Sequence, residues 1–270
     1  MKNYKTVLTI AGSDSSGGAG IQADIKTLAA LGCYGVSVIT AVTAQNTQGV
    51  MTVHPVPSYI VTQQLEAVLK DIRIDVVKIG MLYSAEIIEA VTTTLRKYSI
   101  KPIVLDPIIH STSGTPLLEE NAIDALKKYL IPRSTLITPN IPEAEALLGI
   151  KLKSRTNLEK AAENLAKSGC QNVLLKGGHL SGDSISDIFY SSKEKKMRVF
   201  TSSRIKTVNT HGTGCTLSSA IAAYLAREFS MEESIQKARQ FTFEALKAGV
   251  QYKLGPGKGP LHHFYAFWKE

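Results

Sequence analysis

Short apolar runs alternate along this chain with segments in which apolar residues recur every three or four positions. The runs predict strands, at residues 7–10, 36–42, 76–79, 103–105, 136–138 and 173–175. The periodic segments predict helices, at residues 21–31, 85–97, 121–129, 142–148 and 156–167. Because strands and helices alternate, we expect a mostly parallel sheet with helices on both faces.

The last third of the chain breaks this alternation. Residues 187–190 and 197–201 flank a polar turn and predict an antiparallel hairpin. Two long helices are then predicted, at residues 216–227 and 231–251. An eight-fold β/α barrel would keep alternating to its end, so this order disfavours one. Since the chain shows no repeat, linker or low-complexity tract, we expect one domain over residues 1–270.

Composition narrows the possible classes of protein. Hydrophobic residues make up 44% and charged residues 20% of the chain, which predicts a packed core. No apolar stretch is long enough to span a membrane, and the start lacks the pattern of a signal peptide. The net charge of +8 comes from scattered lysines, so a nucleic-acid partner is not expected. Cys33, Cys170 and Cys215 form no CxxC pair, which suits the cytoplasm, and the first two are expected to be packed core thiols.

One glycine-containing run before a predicted helix is the strongest chemical signal. In the run NTHGTGCT, at residues 209–216, Gly212 and Gly214 allow backbone N–H groups to converge at the positive end of the helix dipole. Such a corner can hold a phosphate, and Cys215 beside it can take a proton. The arrangement suggests phosphoryl transfer to an alcohol. A glycine-rich helix cap with a core cysteine is the alternative.

Two further candidates lie near the first two predicted strands. The glycine-rich loop at residues 11–20 matches neither the dinucleotide fingerprint nor the P-loop, but lets backbone approach a small ligand. Asp24 follows one helical turn later and either faces that pocket or is a favourable first-turn acid. Gln45, in a predicted loop at residues 43–47, offers a donor and an acceptor that match an aminopyrimidine, or it only forms a turn.

Polar residues also follow three later strands. Asp106, Asn140 and Glu143 can hold Mg²⁺, directly or through its water, although Asn140 and Glu143 also match a helix capping box. Lys176 ends another strand, where it can reach a phosphate, and Asp187 can support that wall.

These motifs together resemble one family, the hydroxymethylpyrimidine/phosphomethylpyrimidine kinases of thiamin synthesis, within the ribokinase-like superfamily. The matching stretches span nearly the whole chain in the family's order: GSDSSGGAGIQAD (12–24), TAVTAQNT (40–47), KIGML (78–82), TPNIPEA (138–144), LKGGH (175–179), NTHGTGCT (209–216) and GKGPLHHF (257–264). Their joint occurrence is far more specific than any single stretch.

The resemblance implies a ribokinase-like three-layer α/β/α sandwich with a mostly parallel sheet. It implies a homodimer that uses ATP and Mg²⁺ to phosphorylate 4-amino-5-hydroxymethyl-2-methylpyrimidine to the monophosphate and then the diphosphate. It also assigns roles residue by residue. The pyrimidine would be bound by Gln45, with Ala19, Asp24, Thr43 and Met81 lining its pocket. The nucleotide and metal side would comprise Lys176, Asp187, Asn140, Thr210, Glu143 and Asp106. The catalytic group would be Cys215 with the anion hole of Gly212, Thr213 and Gly214.

One departure and three rival functions accompany the resemblance. Where the family often carries a lysine before Ser-Gly, this chain has Thr112, and His110 either substitutes or is a simple loop histidine. The nearest rival is a pyridoxal kinase of the same superfamily. The others are acyl transfer by Cys215 with His211 as base, and a non-catalytic ligand sensor.

The helix N-terminus is expected to lower the pKa of Cys215 enough for a thiolate near neutrality.

Overall fold

The computed structural model describes residues 2–111, 114–152, 155–178 and 182–268. Its strands form one sheet in the order β3-β2-β1-β4-β5-β6-β7-β8-β9. They are β1 (Thr6–Asp14), β2 (Tyr34–Asn46), β3 (Gly49–Pro55), β4 (Val76–Ile79), β5 (Ile103–Leu105), β6 (Leu136–Ile137), β7 (Asn172–Leu175), β8 (Ser184–Ser191) and β9 (Lys196–Ser203).

The helices follow the predicted order, and one further helix, Ser58–Asp71, was not predicted. They are α1 (Gly20–Ala30), α2 (Ser58–Asp71), α3 (Ala85–Lys97), α4 (Ala122–Ala125), α5 (Ile141–Leu148), α6 (Arg155–Ala166), α7 (Thr213–Ala226) and α8 (Met231–Gly249). None of the helices in the described part of the chain combines the length and the apolar character that a membrane crossing requires.

The sheet is parallel at its centre and antiparallel at both edges. Strands β2, β1, β4, β5, β6 and β7 run parallel, as predicted. At one edge β3 pairs antiparallel with β2, and at the other β8 and β9 form the predicted antiparallel hairpin. The carboxyl ends of the central strands therefore meet at one edge of the sheet, where ligands of such folds bind.

Two separate apolar cores confirm the three-layer arrangement. On one face Leu28 of α1, Ala220 of α7 and Ile235 of α8 pack together over the sheet. On the other face the core includes Leu65 of α2 and Ile88 of α3. The alternation of strand residues between the two cores follows from the period of two in a strand.

The region between residues 43 and 71 was not predicted correctly. The expected loop at 43–47 is the end of β2, which turns tightly into β3. β3 is an edge strand without a buried residue, and α2 buries only Val61 and Leu65. Both elements therefore carry a weak apolar pattern, which explains why the sequence did not reveal them. The helix predicted at 121–129 also differs, because α4 passes into a π-helical turn, Leu126–Leu130.

Candidate active site

The carboxyl ends of the parallel strands open into a cleft with a volume of about 1180 Å³. All but one of the predicted site residues line this cleft. The predicted residues that line it are Ala19, Thr43, Gln45, Met81, Asp106, Asn140, Glu143, Lys176, Asp187, Thr210, Gly212, Thr213, Gly214 and Cys215. These residues come from segments as far apart as β1 and α7, and the packing of the sheet brings them together. The cleft is large enough for a nucleotide and a small acceptor.

The glycine-containing run forms the start of α7 at the middle of the cleft. Gly212 is the N-cap, with φ 81° and ψ 8°, a left-handed conformation that favours glycine. A Cβ at this position would collide with the backbone carbonyl of Gly18. The first N–H groups of a helix have no carbonyl partner within it, so those of Gly214 and Cys215 are suited to bind an anion.

A buried charge pair lies next to this helix start. The ammonium of Lys176 donates to Asp106 Oδ1 at 2.7 Å, and the hydroxyl of Thr138 donates to the same oxygen at 2.9 Å. Burial opposes ionisation of Asp106, but the ammonium groups of Lys176 and Lys78 outweigh it and lower the pKa of this carboxyl. Asp106 is therefore a carboxylate at neutral pH, with Lys176 beside it at the cleft.

Asn140 and Glu143 form the capping box that their spacing allowed. Asn140 Oδ1 accepts from the Glu143 N–H at 2.9 Å, and Glu143 Oε2 accepts from the Asn140 N–H at 2.7 Å. Burial raises the pKa of Glu143 to about 7 against the attraction of the Lys176 ammonium, and the nearby Asp106 carboxylate adds to the rise. The capping box is therefore confirmed, and both residues also line the cleft. Their role in holding Mg²⁺ stays a prediction.

Asp14 and His211 organise another part of the cleft. Asp14 was not singled out from the sequence, and His211 was considered only as a base for Cys215 in acyl transfer. The Asp14 carboxylate accepts from the N–H groups of Ser16 at 2.8 Å, Gly18 at 3.1 Å and Ala19 at 2.8 Å. His211 Nε2 lies 2.8 Å from the same carboxylate. Burial opposes ionisation, but these donors lower the pKa of Asp14 to about 2. The Asp14 carboxylate therefore connects the glycine-rich loop to the start of α7.

Gln45 joins this cluster from β2. Its side-chain nitrogen lies 3.2 Å from His211 Nε2, and its Oε1 accepts from the Thr43 hydroxyl at 3.2 Å. His211 Nε2 is therefore directed to Asp14 and Gln45. This arrangement does not support the use of His211 as a base for Cys215. A short polar residue in a glycine-rich loop, such as Asp14, was the signal that could have revealed the cluster.

Asp24 does not line the cleft, which corrects the expectation from the sequence. Its side chain is fully buried, and the Lys78 ammonium donates to both of its oxygens, at 2.9 and 2.8 Å. The helix turns Asp24 toward the sheet, so the carboxylate meets β4 instead of a ligand. Lys78 was missed as well, although a lysine within the apolar strand Val76–Ile79 was a visible signal.

Asp187, which was expected on the nucleotide side, accepts hydrogen bonds from two protein groups. Its Oδ1 accepts from the Gly177 N–H at 2.9 Å, and its Oδ2 accepts from Arg239 Nε at 2.8 Å. The Arg239 guanidinium also lies over the Phe200 ring, 5.5 Å from its centroid. Asp187 therefore supports this wall of the cleft, as the sequence suggested, through bonds that leave neither oxygen unengaged.

The thiol of Cys215 differs from expectation in its acidity. Only 6% of the residue is exposed, and burial raises the pKa of Cys215 to about 11, although the Lys78 ammonium acts in the opposite direction. The carboxylates of Asp24 and Asp106 add to the rise. The expectation of a thiolate near neutrality was wrong, because burial outweighs the influences that lower the pKa of this thiol.

The remaining residues that the sequence analysis considered are two further cysteines and three positions in the loops around the site. Cys33 and Cys170 are buried free thiols, as expected, and burial raises the pKa of Cys33 to about 11 and that of Cys170 to about 12. His110 is exposed at the rim of the cleft. Thr112 and His179 lie outside the described residues.

The fold and the cleft agree with comparisons to known proteins. A family model described as phosphomethylpyrimidine kinase matches residues 14–262. The chain therefore belongs to the phosphomethylpyrimidine kinase family. It is 48% identical to the hydroxymethylpyrimidine/phosphomethylpyrimidine kinase of Escherichia coli, over 97% of this chain and 98% of that one.

Two other relatives extend the comparison. The bifunctional thiamine biosynthesis protein ThiED of Geobacter sulfurreducens is 48% identical over 97% of this chain, but the chain spans about half of that protein, 52%. The structure of the pyridoxal kinase from Staphylococcus aureus in complex with ADP has a TM-score of 0.90 at 35% identity, covering 98% of this chain and 96% of that one. This likeness supports the ribokinase-like α/β/α fold.

Proposed function

We propose that this protein transfers the terminal phosphoryl group of ATP to the hydroxymethyl group of 4-amino-5-hydroxymethyl-2-methylpyrimidine, and then phosphorylates the monophosphate to the diphosphate. The observation on which this proposal depends is one continuous cleft that includes the first turn of α7. Gln45 on β2 and Asp187 on β8 line the cleft from opposite sides of the central strands. The names of the family and of the Escherichia coli relative support the same reaction.

Each side of the cleft suits a different substrate. Gln45 offers an amide donor and acceptor to the amine and ring nitrogen of the pyrimidine, while Ala19, Thr43 and Met81 line the ring's pocket. The wall supported by Asp187 suits the nucleotide, and the pyridoxal kinase complex with ADP supports nucleotide use by this fold. Thr210 and Asn140 also line the cleft, and we assign them to the phosphates of the nucleotide.

The carboxylates of Asp106 and Glu143 fit a Mg²⁺ ion bound together with nucleotide phosphates. Magnesium is usually held by one or two carboxylates plus substrate phosphates, and Asp106 and Glu143 both line the cleft. Burial raises the pKa of Glu143 and the Asp106 carboxylate adds to the rise, so a cation bound there would favour the ionised form of Glu143. Such an ion supplies charge neutralisation for the phosphates.

The first reaction forms one bond and breaks one. The hydroxymethyl oxygen attacks the γ-phosphorus, the bond from that phosphorus to the bridging oxygen breaks, and ADP leaves. The N–H groups of Gly214 and Cys215, with Lys176, stabilise the charge on the transferred group. Cys215 accepts the hydroxyl proton through the small fraction of the thiol that is ionised. In the second reaction a phosphate oxygen of the monophosphate attacks the γ-phosphorus of a second ATP, the bond from that phosphorus to the bridging oxygen breaks, and ADP leaves. No hydroxyl proton has to be removed in this step.

A coupled assay of ADP release over a panel of heteroaromatic alcohols and their monophosphates tests this proposal. We expect turnover with the hydroxymethylpyrimidine and with its monophosphate, and a kcat/KM for pyridoxal at least tenfold lower. Gln45 and Met81 favour the pyrimidine over pyridoxal. Preference for pyridoxal would make the protein a vitamin B6 kinase, and absence of ADP release with every alcohol would favour a ligand sensor.

Replacing Gln45 with alanine is expected to raise the KM for the pyrimidine about tenfold or more, with the KM for ATP nearly unchanged. The physical reason is that the buried edge of the bound ring loses its hydrogen-bond partner, a loss of roughly 1–3 kcal/mol. Steady-state kinetics with each substrate varied in turn would measure this. Gln251→Ala, at an exposed position after α8, is the matched control. A defect mainly in ATP use would contradict the assignment.

We also propose that the protein acts in the cytoplasm as a homodimer. Three buried free cysteines are compatible with a reducing compartment, and the dimer is supported by the family resemblance. Sedimentation equilibrium of the purified protein would decide the assembly state, and a monomer at all concentrations would reject the dimer.

A further inference from the structure

A fully buried ion pair lies behind the cleft, outside the groups that line it. Lys78 and Asp24 both have no exposed side-chain surface, and the Lys78 ammonium donates to both carboxylate oxygens. On β4, Lys78 alternates with Ile79 and so faces the layer that contains α1 and α7. Removing two charges from water is unfavourable, and an apolar pair at this place would avoid that loss.

The pair is bonded directly to the helix that carries Cys215. The hydroxyl of Ser219 donates to Asp24 Oδ1 at 2.7 Å, and the hydroxyl of Thr9 donates to Oδ2 at 2.6 Å. Ser219 lies four residues after Cys215, which places both on the same face of α7. The pair therefore contacts the helix one turn behind the thiol, on the side that faces the sheet.

The neighbouring backbone leaves room for the ammonium. A Cβ on Gly80 would lie 2.9 Å from Lys78 Nζ, so any side chain at residue 80 would displace the charge. Gly20, at the start of α1, lines the cleft with Cys215, and its backbone N–H acts to lower the pKa of the thiol. Asp24 is on the same helix, so α1, β4 and α7 meet around a thiol and a buried lysine.

We propose that the Lys78–Asp24 pair is an electrostatic positioning element for Cys215, in which the Lys78 ammonium stabilises the thiolate and Asp24 fixes that ammonium under α7. This inference rests on the proposed function for its catalytic meaning, because Cys215 is the group there assigned to accept the hydroxyl proton. Four charged groups on the surrounding elements act electrostatically on the thiol: Asp24 on α1, Lys78 on β4, Asp106 after β5 and Lys176 after β7.

The signs of these charges give opposite expectations for the two members of the pair. Burial raises the pKa of Cys215, the Lys78 ammonium lowers it, and the Asp24 carboxylate raises it. Loss of the ammonium should therefore make the thiolate rarer, and loss of the carboxylate charge should make it more abundant. Only the thiolate is nucleophilic, so its abundance can be measured by alkylation.

The test is the rate of Cys215 alkylation by iodoacetamide between pH 7 and 10, followed by peptide mass spectrometry so that Cys33 and Cys170 do not interfere. At pH 8 we expect Lys78→Met to slow the reaction about tenfold and Asp24→Asn to speed it about tenfold, a change of about one pKa unit each. Lys70→Met, at an exposed ion pair on α2, is the matched control and should react like the unchanged protein.

A purely structural role predicts a different pattern. If the pair only held α7 in place, both variants would loosen the helix and both would react faster. Rate changes of the same sign, or no changes, would overturn the proposal.

Lys78→Met leaves the buried Asp24 carboxylate without its partner, and this variant could fail to fold. A second variant avoids that unpaired charge. The double variant Lys78→Met/Asp24→Asn lacks both charges, and it should react about tenfold more slowly than Asp24→Asn alone. Equal rates for these two proteins would also overturn the proposal. Alkylation needs neither nucleotide nor alcohol, so its outcome is independent of whether the ADP assay detects the proposed kinase activity.

Discussion

Gly212→Ala is expected to lower the kcat of both phosphorylations about a thousandfold. The N-cap of α7 has a φ of 81°, and a Cβ there would collide with the carbonyl of Gly18. The start of the helix must shift to relieve this contact, which moves the N–H groups of Gly214 and Cys215 away from the transferred phosphoryl group. Removal of a single such donor from an oxyanion hole lowers rates about 10²–10³-fold, and here more than one moves.

Gly32→Ala separates this effect from ordinary backbone strain. Gly32 has a similar φ of 74°, but a Cβ there would have no heavy atom within 4 Å. We expect this control to keep its activity and to lose only about 1–2 kcal/mol of stability, measured by chemical denaturation. Circular dichroism would establish that Gly212→Ala remains folded. Near-normal turnover by the folded Gly212→Ala protein would reject the anion-binding role of the α7 start.

Cys215→Ala is expected to lower the kcat of the first phosphorylation about 10²–10³-fold and that of the second less than tenfold. A general base contributes about 10²–10⁴-fold where a proton must be removed. The hydroxyl of the first acceptor carries such a proton, whereas the phosphate of the second acceptor is already an anion. Rapid-quench measurement of each step with purified protein would provide the ratio. Equal losses in both steps would contradict the base role.

The acidity of Cys215 adds a pH dependence to this prediction. Burial raises its pKa to about 11, so the thiolate fraction of the free protein rises about tenfold per pH unit between pH 7 and 9. The kcat/KM of the first phosphorylation should rise with pH over this range, and Cys215→Ala should lack that rise. A flat profile for the unchanged protein would mean that Cys215 orients the hydroxyl without removing its proton.

Local patterns were sufficient for most of the architecture and for most of the cleft. Apolar periodicity predicted the six parallel strands, the hairpin of β8 and β9, and the layers of helices on both faces. The polar residues after β5, β6 and β7 meet at one edge because parallel strands share a direction. The edge strand β3 and the helix α2 escaped prediction because they bury few side chains, so their sequences carry little of the signal.

The sequence by itself determined most of the strands and helices, the helix start at the glycine-containing run, and which side chains follow the parallel strands, because these depend on neighbouring residues. Only the tertiary structure decided that Asp24 meets Lys78, that His211 meets Asp14, and that the Cys215 thiol is less acidic than a helix N-terminus suggests. Those outcomes depend on burial and on charges from distant segments. A group's free energy of ionisation is set by everything packed around it, and no local pattern contains that information.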